Sequence, residues 1–206
     1  MIPLSFRAGI VFLILWVIVL GCASQKAEQI PPDVQEKCEA PKWNIGDTWV
    51  YEGTQMERTQ ETVLKVEDES YMVRLSDRMG TVEVRYKSDN LEAKWYKTDG
   101  GAAGYISHKY PYKFPLYVGK QWHYWFGDAL HLVKVLSVGS VSTPAGIFKA
   151  FKIESKWVGS GFHDIYHHWY SPEVKNLVAI HRRYHLRIGP QVETLMELVS
   201  YKPADK

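Results

Sequence analysis

The sequence predicts an all-β protein, and three observations carry that reading. Apolar and polar residues alternate with a period of two in run after run, as in Thr81 to Lys87, where Val82, Val84 and Tyr86 face one way and Thr81, Glu83, Arg85 and Lys87 the other. Aromatic residues make up 14% of the chain, with 13 Tyr, 8 Trp and 7 Phe, and such rings suit a pleated, half-buried surface. Short turns rich in glycine, proline and acidic residues separate the runs, and no stretch has the 3.6-residue period of a long amphipathic helix. Short gaps between strands imply antiparallel hairpins. About ten strands result, best accommodated in a curved sheet or an open, barrel-like meander that limits the number of exposed edges.

Residues 1–21 stand apart from this pattern. Arg7 and the chain amine precede a thirteen-residue apolar run from Ala8 to Leu20, which ends in Val19-Leu20-Gly21-Cys22. A basic start, an apolar middle and a small residue before a cut describe a secretory signal. Thirteen residues span only about 20 Å as a helix, short of the ~30 Å hydrocarbon core. The four-residue stretch resembles the lipobox of bacterial lipoproteins. That resemblance implies lipidation of Cys22, cleavage before it, and a mature chain held to a membrane by acyl groups. By the same resemblance, Ala23 in place of an aspartate favours the outer membrane, facing the periplasm, in a Gram-negative cell.

Residues 22–41 read as a flexible tether, with Gln25, Gln29, Pro31-Pro32 and Gln35 among mixed charges and almost no apolar periodicity. Cys38, without an intramolecular partner once Cys22 is acylated, reads as an idle thiol in this linker. A single β domain is expected over residues 42–203. Its strands are Thr48 to Tyr51, Thr62 to Val66, Tyr71 to Leu75, Thr81 to Lys87, Leu91 to Lys97, Leu130 to Val138, Phe148 to Val158, His163 to Tyr170, Leu177 to Leu186 and Val192 to Tyr201. Turns fall at Trp43 to Asp47, Glu67 to Ser70, Asp77 to Gly80, Ser142 to Gly146 and Ser171 to Glu173, and the prolines around Phe114-Pro115 break any ladder there. The Thr143-Pro144-Ala145-Gly146 hairpin followed by Trp169-Tyr170-Ser171-Pro172-Glu173 resembles β-rich bacterial envelope proteins over the last ninety or so residues. It implies fold and location, and no catalytic residue.

Charge narrows the partners. Removing residues 1–21 leaves 24 basic against 23 acidic residues, a balance that argues against nucleic acid. No cofactor is expected. The Gly100 to Gly104 loop lacks the lysine and the strand-loop-helix setting of a phosphate-binding loop. Gly159-Ser160-Gly161 reads as a turn, since no nucleophile elbow surrounds it. His163, His167, His168, His181 and His185 cluster in sequence, but no cysteine or tight acidic group completes a closed metal site, so no metal is assigned. The alternative is a metal-dependent or glycan-acting envelope enzyme, with His167 or His168 meeting His181 across paired strands. Alternation also puts His181, Arg183, His185 and Arg187 on one strand face, a candidate row for anionic groups. The rings of Trp122, Tyr124, Trp125, Trp157 and Trp169 are candidates to line a site for an apolar or sugar ligand. The function expected is that of a non-enzymatic, membrane-anchored envelope lipoprotein that binds an apolar ligand or an envelope protein partner.

Overall fold

The structure is a computed structural model. It describes residues 30–53, 58–98, 111–126, 128–158, 165–184 and 192–204, apart from 32, 33 and 35. The signal segment, Cys22 and Ala23, and most of the tether lie outside the described residues. The chain divides into two units, residues 1–32 and 33–206, and every described strand belongs to the second.

The all-β expectation holds: the described elements are eleven strands in one antiparallel sheet. They are β1 (Thr48–Gly53), β2 (Thr59–Glu67), β3 (Ser70–Asp77), β4 (Gly80–Lys87), β5 (Ala93–Thr98), β6 (Gln121–Phe126), β7 (Ala129–Thr143), β8 (Gly146–Val158), β9 (Ile165–Ser171), β10 (Asn176–Tyr184) and β11 (Val192–Lys202). The order across the sheet is β5-β4-β3-β2-β1-β11-β10-β9-β8-β7-β6. Two meanders therefore meet where the first and last strands pair, and β5 and β6 end the sheet. The strand absent from the expected ten is β6, whose dense aromatics obscure its alternation. The β7–β8 hairpin runs longer than expected because Gly139 and Ser140 continue the ladder as a pair with Ala150 and Lys149.

Alternation decides which side chains turn inward. On β3 and β4, Val73 and Val84 pair directly and are both buried, as are Tyr71 and Tyr86. The sheet curls around this inner face. The turn of the β7–β8 hairpin reaches over to β11, where Ala145 N–H donates to the Leu198 carbonyl at 3.1 Å. Asn176 at the start of β10 donates to buried Glu61 of β2 at 3.2 Å, with β1 and β11 between them in the sheet.

Two segments without regular structure fill much of the concavity. Cys38 and Leu116 exchange backbone hydrogen bonds of 2.9 and 2.7 Å, and both are buried. Trp43 packs against Trp49, Tyr71 and Tyr86, and its indole N–H donates to the Lys175 carbonyl at 2.8 Å. Folded structure thus begins ahead of residue 42, and Cys38 is a core residue where the sequence suggested a linker thiol. Burial, with Glu39 and Glu36 adding to it, pushes its thiol up to about 12, so it stays protonated.

The ends are clasped by Asp47, which is fully buried. Its carboxylate accepts from Asn44 N–H at 2.9 Å, Ala204 N–H at 2.8 Å and the Lys175 ammonium at 3.3 Å. Gly46 approaches the same point with a φ of 96°, a left-handed value that glycine adopts without steric cost. Lys175 itself has a φ of 58°, held there by its contacts to Asp47 and Trp43.

Candidate functional site

Because consecutive strand residues point to opposite faces, register sorts the five candidate aromatics into two groups. Tyr124 of β6 faces His131 of β7, which faces Trp157 of β8. The Tyr124 and His131 rings stack at 4.7 Å and 7°, and His131 and Trp157 at 6.4 Å and 12°. One register step away, Trp122, Val133, Ser155, Tyr166 and Arg182 form a second inner row across β6 to β10. His131 Nδ1 lies 3.4 Å from Ser155 Oγ, which links the two rows.

Trp125 and Trp169 do not belong to this wall. Trp125 pairs with Leu130, whose β8 partner is Val158, and it is 65% exposed on the outer face. Trp169 pairs with Lys152 and Ala179, again outside, and carries the Lys152 ammonium 5.5 Å from its ring centre. The expected five-ring lining is corrected to Trp122, Tyr124 and Trp157, joined by His131 and Tyr166. Strand parity separates the two sets: Trp125 is odd beside the even pair Trp122 and Tyr124.

The inner wall opens into a cleft of about 450 Å³ along β6. One side is Gln121, Trp122, His123 and Tyr124, and the other is Asn90, Glu92 and Pro111 to Lys113. One hydrogen bond ties the two sides together, and a second braces the far side. Trp122 Nε1–H donates to the Pro111 carbonyl at 3.1 Å, and Tyr112 N–H donates to the Asn90 carbonyl at 2.7 Å. Glu92 is fixed twice, by an ion pair with Lys87 and through its own N–H to Asn90 Oδ1 at 2.9 Å. The cleft is therefore held open by its own framework. Its rings offer apolar faces, and its amides, carboxylate and imidazole offer hydrogen bonds along the rim. Sequence reading missed Asn90, Glu92 and Tyr112, since nothing local shows that a turn after β4 will stand opposite β6.

The late histidines divide between faces. His181 and His167 are cross-strand partners on the outer face, whereas His168 is buried inside beside Ile153 and Ile180. The trio His167, His168 and His181 therefore cannot share one ion, and among the described residues no three metal-ligating side chains converge. His167 Nε2 instead lies 3.3 Å from Glu154. Burial, followed by the Lys152 charge, lowers the His167 pKa against the pull of Glu154. Burial also opposes the Glu154 charge, but Lys156 and His167 outweigh it and lower that carboxyl. Burial takes His168 furthest, down to about 3, with lesser help from His167 and His131.

Of the candidate anion-binding row, His181 is on the outer face, and the backbone of Arg183 pairs with Ile165 and Glu193. His185 and Arg187, like His163, lie outside the described residues. Arg182, of opposite parity, is on the inner face, where its guanidinium sits 4.9 Å from the centre of the Tyr166 ring.

The chain matches no family model and no curated protein. Among solved structures it is similar to a protein from Bacteroides fragilis described as exported and having a YmcC-like fold. That match has 14% identity and a TM-score of 0.48, and covers 80% of this chain and 99% of that one. It is also similar to a protein from Parabacteroides distasonis described as a lipoprotein, with 13% identity and a TM-score of 0.40, over 82% of this chain and 100% of that one.

Proposed function

We propose that this is a bacterial envelope lipoprotein, anchored through acylated Cys22 at the outer membrane and facing the periplasm, whose β domain binds rather than catalyses. The ligand presents apolar surface to Trp122 and Tyr124 and hydrogen-bonding groups to the rim. The observation that carries this reading is the braced cleft along β6, one of whose lining rings, Tyr124, stacks on His131. Concave sites that combine ring faces with a few placed polar groups are where small apolar groups bind. The anchor rests on the signal-like run and the Val19 to Cys22 motif.

Two measurements test it. Intact mass and membrane fractionation should show a mature chain beginning at acylated Cys22, and Cys22→Ser should abolish both the acylation and the membrane fraction. An unmodified residue 22 would refute the anchor. For the cleft, anilinonaphthalene sulfonate should bind the non-acylated chain saturably. Trp122→Ala and Tyr124→Ala should each weaken it about five- to tenfold, a loss of roughly 1–1.4 kcal/mol. Equal binding by wild type and both variants would remove the cleft as the site.

A further inference from the structure

We propose that the cleft takes an extended peptide, which adds to β6 as a further strand of the sheet. This rests on the reading of the cleft as the binding site, and goes beyond it by naming the occupant.

The geometry begins with which residues line the cavity. Gln121, Trp122, His123 and Tyr124 are consecutive. In a strand, neighbours point to opposite faces, so a cavity lying on one face would touch alternate residues only. A cavity touching all four lies against the strand's edge, where the main chain presents its N–H and C=O groups. Among the described residues β6 pairs with β7 alone and ends the sheet, and that pairing runs from Gln121 to Phe126 without a register shift. The edge is thus regular along its length.

Within residues 121–126 the strand itself carries none of the charges, prolines or bulges that protect an edge. Natural edge strands carry lysine, proline, inward-pointing charge or a bulge. Residues 121–126 contain no proline, lysine, aspartate or glutamate. The adjacent Lys120 is turned inward, 2% exposed, and donates to the Pro115 carbonyl at 2.8 Å. The facing wall of Asn90, Glu92 and Pro111 to Lys113 stands across about 450 Å³ of space from the edge, a narrow setting that suits one added chain better than a broad second sheet.

An extended peptide meets these demands because its main chain offers donors and acceptors along a strand edge that no described strand covers. Its side chains would alternate between Trp122 and Tyr124 on the inner side and Gln121 and His123 on the outer. The favoured sequence therefore alternates apolar and polar residues over about six positions, roughly 20 Å of strand.

The test uses the full-length protein in nanodiscs and hydrogen–deuterium exchange. The probe is an acetylated, amidated hexapeptide of alternating valine and threonine, with a solubilising lysine at each end. Two N-methylated versions are compared, one methylated at the valines and the other at the threonines. A strand bonds to one neighbour through alternate residues, so one methylation frame should cost at least about tenfold in affinity while the other binds within about threefold of the parent. The parent should also slow exchange at residues 121–126. Binding that is indifferent to methylation frame, or no protection of residues 121–126 at millimolar peptide, overturns the proposal. Either result, alongside anilinonaphthalene sulfonate binding that Trp122→Ala weakens, would leave the cleft a binding site for some other occupant. Loss of that sensitivity as well would overturn both readings.

Discussion

Replacing Asp47 should unfasten the ends of the domain, and the structure sets the size of the effect. The Asp47 carboxylate is fully buried and accepts from two backbone N–H groups and the Lys175 ammonium. A hydrogen bond to a charged group contributes about 1.5–3 kcal/mol net, and a buried donor left without a partner costs about 1–3 kcal/mol. Lys175 retains some contact with water, which limits the loss on its side. Asp47→Ala should therefore destabilise the domain by about 3–5 kcal/mol, in the range for breaking a buried pair. Asp47→Asn keeps one acceptor oxygen but turns an amide donor toward one of the old donors, so about 2 kcal/mol is expected. Urea unfolding reads both, as a lower midpoint with an unchanged slope. Removing residues 203–206 takes away the Ala204 donor and leaves Asn44 and Lys175 on Asp47, so it should cost less than Asp47→Ala. If Asp47→Ala costs under about 1 kcal/mol, or no more than that truncation, Asp47 is not the clasp described.

Other consequences follow from burial. The Tyr170 hydroxyl is buried and has no hydrogen-bond partner among the described residues, whereas the Tyr71 hydroxyl donates to the Pro41 carbonyl at 2.8 Å. Tyr170→Phe should be neutral or stabilising by up to about 1 kcal/mol and Tyr71→Phe destabilising by about 1 kcal/mol; the reverse order in thermal unfolding would contradict the two assignments. His168 takes up a proton near pH 6.5 when unfolded but only at about 3 when folded, so stability is lost as pH falls from 6.5 toward 3. His168→Phe should flatten that part of the stability–pH curve by up to about 1.4 kcal/mol per pH unit, and an unaltered slope would refute a buried neutral imidazole. The Cys38 thiol should resist alkylation in the native protein at about pH 8 and react once urea unfolds it. Prompt labelling of the native state would show that residues 36–43 do not lie across the inner face.

How much was readable in advance depended on whether the determinant was local. Val82, Val84 and Tyr86 announce their face because alternation is a property of the strand itself, and Pro144 and Gly146 announce their turn because each sets a backbone angle. Trp125 could have been set apart from Trp122 and Tyr124 by the same parity. Trp43 and Cys38 gave no such signal. They lie in a segment without periodicity, and they are buried because a curled sheet leaves a hollow that a large ring fills. The cleft was invisible for a related reason: Asn90 and Tyr112 reach it through tertiary placement, and the tie between Tyr112 N–H and the Asn90 carbonyl follows no local rule.

The pairing of β1 with β11 bears on how the protein reaches its folded state. Every other ladder in the sheet joins strands adjacent in sequence, so each can zip locally as a hairpin. Thr48 meets Lys202 only after nearly the whole domain has been synthesised. Until then the two meanders are separate half-sheets, each with an additional bare edge. Closing this loop is the long-range step whose chain entropy sets the folding rate. The last strand is thus a keystone, and a chain released before residue 192 would carry two hydrophobic half-sheets with adhesive edges, a natural substrate for aggregation or quality-control proteolysis.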